Sequence, residues 1–119
     1  MVETKEEKMA RENRLLERAK VVAIINRDST VNRVRALANT ASCVEGHSDL
    51  IPIFLVAAGD LESLWKDFMS HNQTVLVALC DLNLVSEFFT QLETEIRALY
   101  SSVKSVFENY SRNINLKKS

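Results

Sequence analysis

Cys43 and His47 stand four residues apart, with His71 and Cys80 further along, and thiol and imidazole are the side chains that zinc sites use. The spacing argues against such a site. A structural zinc takes four ligands at tighter intervals, and Gly46 falls between Cys43 and His47, where it should end their helix. Both cysteines read instead as small buried hydrophobes. His71 lies on an apolar seam where a general base or pH switch would have to be built, but no nucleophile stands at a recognisable spacing from it. The expectation is a partly buried histidine with a hydrogen-bond partner, a polar core position that helps to set helix register. Glu93 and Glu95 diverge on a helix, and Asp60 and Asp67 flank apolar residues on an exposed face, so neither makes an acid–base pair. The chain has no glycine-rich phosphate loop, nucleophile elbow or His-Glu-x-x-His motif. It is expected not to be an enzyme and to take no cofactor, metal or small molecule.

Trp65, Phe68, Phe88, Phe89, Tyr100, Phe107 and Tyr110 offer a second chemistry, stacking on single-stranded bases, but that needs basic residues interleaved with the rings. Trp65 and Phe68 have Asp60, Glu62 and Asp67 as neighbours, so core packing is the natural account. Phe88 and Phe89 cannot share one stripe, and one of them must serve a second contact, with the first helix or with another molecule. The formal net charge is -1, with no global field toward nucleic acid or membrane. From Gly46 to Glu95 the only Lys or Arg is Lys66, whereas Arg97, Lys104, Arg112, Lys117 and Lys118 make the end modestly basic. These charges read first as solvated helix faces, and the five basic residues are those an RNA contact would use.

Such side chains must be positioned by helices. Only 2 Gly and 1 Pro occur in 119 residues, too little turn material for a sandwich or barrel. Val85, Phe89, Leu92, Ile96, Leu99, Val103, Val106 and Tyr110 form a heptad seam, and Leu50, Phe54, Ala57, Leu61, Leu64, Phe68, His71, Val75 and Ala78 form a second. Gly46 suits a left-handed helix end with Ser48 capping the next helix, Pro52 fits a first turn, and Asn83 or Ser86 could cap the last helix. The first segment is interrupted by Asn26-Arg27-Asp28-Ser29-Thr30, where Asp28 or Ser29 could start a new helix. The predicted fold is all-α: an antiparallel bundle of three long helical arms, the first broken near residues 26–30. Residues 1–20 make a charged, partly exposed arm, 21–113 the bundle, and 114–119 a polar tail. No apolar run approaches the roughly 18–20 residues that cross a bilayer. The charged N-terminal stretch and two cysteines outside any disulfide framework suggest a reducing, intracellular, cytoplasmic setting.

Leu61, Leu64, Trp65, Phe68 and His71, in the stretch Asp60-Leu-Glu-Ser-Leu-Trp-Lys-Asp-Phe-Met-Ser-His, are followed by Glu87-Phe-Phe-Thr-Gln-Leu-Glu and the segment from Tyr100 to Tyr110. This arrangement resembles the N-terminal Gag-like region of insect BEL/Pao-type retrotransposon polyproteins, over roughly Val31 to Tyr110. The resemblance implies a structural role, self-assembly around element RNA. The chain has no CCHC knuckle, protease motif or polymerase region. The reading is therefore a helical protein-interaction module whose partner is itself. The alternatives are a cellular adaptor binding another helical protein and a weak RNA binder. The core or interface residues are Leu61, Leu64, Trp65, Phe68, His71, Phe88, Phe89, Leu92, Ile96, Leu99, Val103 and Tyr110.

Overall fold

The computed structural model describes the backbone of residues 2–118 and the side chains of residues 2–112. The described residues form four α-helices, α1 (Lys5–Val44), α2 (Ile51–Ala58), α3 (Leu61–Asp81) and α4 (Thr90–Lys118), joined through 3-10 turns at Ser48–Leu50 and Val85–Glu87. The fold is all-α, with the helices packed against one another.

The first helix is unbroken through its 40 residues. Thr4 caps its start, accepting the Glu7 N–H at 3.0 Å, with Glu6 and Glu7 in the first turn where acids suit the helix dipole. The break expected at residues 26–30 is absent: Arg27, Asp28 and Thr30 find partners without leaving the helix, and Asn26 and Ser29 face solvent. Buried Thr30 donates its hydroxyl to the Asn26 carbonyl at 3.1 Å, and Arg27 pairs with Asp28 at 3.1 Å. With no Gly or Pro in the segment, nothing forces a stop.

The turns differ from expectation in detail. Gly46 does not take a left-handed conformation, and Ser48 opens a 3-10 turn without a side-chain cap. Pro52 lies in the first turn of α2, as expected. The second arm is two helices: Gly59 donates to the Val56 carbonyl at 3.3 Å, Asp60 leaves helical geometry at φ -96 and ψ 16, and α3 starts anew. The break rephases the seam, so Ala58 is buried and Ala57 exposed. Asn83, at φ 60, terminates α3 instead of capping α4. Its N–H bonds the Cys80 carbonyl at 3.1 Å, and Leu84 N–H bonds the Leu79 carbonyl at 2.7 Å, a Schellman closure sealed by packing of Leu84 on the cluster that contains Leu79. Chain direction is thereby reset before α4, which starts at Thr90 and runs past Asn113, where a tail was expected. Val85 and Phe89 consequently fall off the seam and are exposed, while Phe88 turns inward.

Three apolar clusters follow α1. Ala23 meets Val75 and Leu79; Val31 and Val34 meet Leu64, Phe68 and Ile96; Ala41 and Val44 meet Phe54, Ala58, Leu61 and Val103. Rising positions on α1 meet falling positions on α3, so these two are antiparallel, and α4 returns along α1. Asn72, not His71, is the buried polar residue of α3, and its Oδ1 has no hydrogen-bond partner among the described residues; His71 is half-buried. The cysteines expected to be buried, Cys43 and Cys80, are both exposed and free.

Phe68→Ala should lower the unfolding free energy by about 3–5 kcal/mol, while Phe89→Ala should change it by less than about 0.5 kcal/mol. Asn72→Leu, which removes an unsatisfied buried amide, should raise it by about 1 kcal/mol. Urea denaturation followed by circular dichroism measures all three.

Candidate interaction surface

Most residues singled out in the sequence are core. Leu61, Leu64, Phe68, Ile96 and Val103 are buried, and Trp65, Leu92, Leu99 and Tyr110 are half-buried against the clusters. They hold the helices together and leave no catalytic arrangement among themselves. Phe88 packs on the Ala23 cluster, while Phe89, expected on the buried seam, is 68% exposed.

Where α3 crosses α4, a small polar and aromatic cluster closes the seam at the surface. Trp65 stacks on Tyr100 with centroids 4.9 Å apart, and Arg97 lies over the Trp65 ring at 5.1 Å. The Tyr100 hydroxyl donates to Glu62 Oε1, which Lys104 approaches at 3.6 Å. Donation from Tyr100 holds the Glu62 carboxyl below its ordinary value, opposed by desolvation and helped by Lys104. The same bond, with desolvation, pushes the Tyr100 phenol up to about 12. No nucleophile completes this group; its chemistry is that of a clasp between α3 and α4. Two of the expected RNA-contact residues, Arg97 and Lys104, are engaged in it. Arg112 is exposed on α4, and Lys117 and Lys118 lie outside the described side chains. Sequence reading placed Trp65 and Tyr100 in the core but missed Glu62, whose partner lies 38 residues away and on another helix.

Exposed apolar surface lies elsewhere, on α2 at Ile53 and Val56 and at the end of the bundle where α1 projects. The first core contact of α1 is Ala23, so residues 5–22 extend ~27 Å at 1.5 Å per residue beyond it. The molecule is accordingly 75 Å long and 28 by 21 Å across. Leu15 is 57% exposed, Val21 and Val22 50%, and Ile25 61%. Ala23, Thr30, Val34 and Ala41 mark the inward face; Leu15, Val22 and Ile25 are spaced 7 and 3 residues apart on a different one. Val77, Val85 and Phe89 add exposed apolar surface on α3 and the 82–89 connection. Further along α1, Ala36, Leu37 and Thr40 line a groove of about 510 Å³ with Val56, Ala57 and Arg33. The sequence expectation was a charged, partly exposed arm over residues 1–20, but the exposed apolar residues Val21, Val22 and Ile25 lie beyond that boundary.

Among the described residues no three His, Cys, Asp or Glu side chains are grouped to hold a metal, and no helix is long and apolar enough to cross a membrane. Compared with known proteins, the chain matches no family model, no curated protein and no solved structure.

The Tyr100–Glu62 bond sets a pH dependence. Tyr100 keeps its proton to about 12 when folded, against 10.0 ordinarily, so while Glu62 is ionised the contact stabilises the fold fully below pH 10.0 and is lost as pH rises through about 12; at the acid end it is lost as Glu62, whose pKa the same bond lowers, takes a proton. In a Tyr110→Phe background, absorbance titration of Tyr100 should show a midpoint near 12 that Glu62→Gln moves toward 10.0.

Proposed function

We propose that the chain is a non-catalytic helical interaction module that works by self-association, a Gag-like structural fragment. The observation that supports this is the α1 projection, whose Leu15, Val21, Val22 and Ile25 are half or more exposed although the inward face of the same helix is buried. Water contact at these four side chains is unfavourable by about 25 cal/mol for each Å² of apolar area left uncovered, and another helix removes that cost. The Gag-like part of the reading rests on the Leu61, Leu64, Trp65, Phe68 and His71 pattern. Those side chains form or flank the core in a fold with no assembled reaction site among its described residues. Two exposed, free thiols suit a reducing, intracellular compartment.

RNA binding fits less well, since Arg97 and Lys104 already hold an aromatic ring and a carboxylate. An adaptor that takes a foreign helix would use the same exposed face, and solution mass separates it from self-association. In light scattering over a concentration series, the average mass of the wild-type chain should rise above 13.5 kDa toward twice that value. Ile25→Glu, at a site 61% exposed, should stay folded and remain at 13.5 kDa. A wild-type chain that stays monomeric throughout would contradict the proposal and favour a foreign partner.

A further inference from the structure

The outer face of α1 carries a charge order that reads in opposite signs from its two ends. Glu7, Arg14, Val21, Asp28 and Arg35 occupy five successive heptad positions, and all five are exposed. Their signs run negative, positive, neutral, negative, positive. A row repeating every seven residues drifts only about 20° per heptad, so these residues form one flank of the stripe through Leu15, Val22 and Ile25. Two such rows in parallel register would set Glu7 on Glu7, Arg14 on Arg14 and Asp28 on Asp28. Reversed about Val21, each charge meets its opposite: Arg14 faces Asp28 and Glu7 faces Arg35.

We propose that a second copy of this chain covers the face, its α1 packed antiparallel to the first about a two-fold axis at Val21. This rests on the self-association reading and adds its orientation and register. An isologous contact of this kind brings Leu15 of each copy near Ile25 of the other, and Val22 near the Arg18 stem. The first turn of α1 in each copy reaches the level of Leu37, which lines the groove where Val56 is 81% exposed. Within one chain Arg35 also holds Glu95 at 2.9 Å and Asp28 also holds Arg27 at 3.1 Å. The Arg14–Asp28 contact, made twice by symmetry and closest to the axis, is therefore the one to alter.

The test is sedimentation equilibrium on four versions of the 119-residue chain: unaltered at positions 14 and 28, Arg14→Glu, Asp28→Arg and the double variant. All carry Cys43→Ser and Cys80→Ser, and circular dichroism confirms equal helicity. Each single variant should weaken the dimer about tenfold by turning two attractive contacts repulsive, and the double variant should recover wild-type affinity to within about threefold. Association that the single variants leave unchanged, or that the double variant fails to restore, overturns the antiparallel register while self-association stands. A wild-type chain that is monomeric at every concentration overturns both.

Discussion

Phe68 has no exposed surface and sits where α1, α3 and α4 meet, against Val31 and Val34 on one side and Ile96 on the other. Burying that side chain requires all three helices at once, and the rest of the fold follows from satisfying it. Helix α3 must run antiparallel to α1 to bring Leu64 and Phe68 onto Val31 and Val34. The Schellman closure at Asn83 must then turn the chain so that α4 can return with Ile96 and Val103. The Trp65, Tyr100, Glu62 and Lys104 cluster closes the α3–α4 crossing at the surface, where solvent screens each charge and the aromatic stacking fixes geometry more than it adds stability.

The same constraint leaves part of α1 unpartnered. Helix α4 starts at Thr90, level with the Phe68 cluster, so toward the start of α1 only α3 and the 82–89 connection remain to pack on it. Ahead of Ala23 no described residue of α1 is buried, and Leu16, Glu17 and Lys20 are half-buried. Most of a helix's stability comes from packing, and α1 extends its order outward from a packed half. Its projecting half keeps apolar residues that serve no core. A segment that stays helical, charged and apolar at once is suited to packing on another helix, and its charge order discriminates between the two orientations in which a copy of itself could approach.

Much of this was legible in sequence. The heptad seam from Leu92 through Ile96, Leu99 and Val103 to Tyr110 lies on the inward side of α4, because a spacing of 3 and 4 residues needs only local geometry to be read. Val85 and Phe89 continue the same arithmetic but not the same helix. The 3-10 turn and extended Phe88 between them change the phase, which depends on the cap at Asn83 and not on periodicity. The polar run at Asn26 to Thr30 looked like a break because its side chains were read as seeking backbone partners. In the fold Thr30 finds one within the helix, four residues back. Exposure of Cys43 and Cys80, and the buried position of Asn72 beside His71, depend on helix rotation by a fraction of a turn, finer than composition resolves. Glu62 and Tyr100 were both visible as residues, but their pairing is a property of the crossing.

On the proposed self-association, α1 is half core and half interface. Amide hydrogen exchange, recorded on the same chain when dilute and when concentrated, examines both halves together. Amides of Val31 to Ala41 should be strongly protected in both samples, and those of Met9 to Val22 should exchange rapidly when dilute and become protected on concentration. Equal protection of Met9 to Val22 in both samples, whether high or low, would contradict the account.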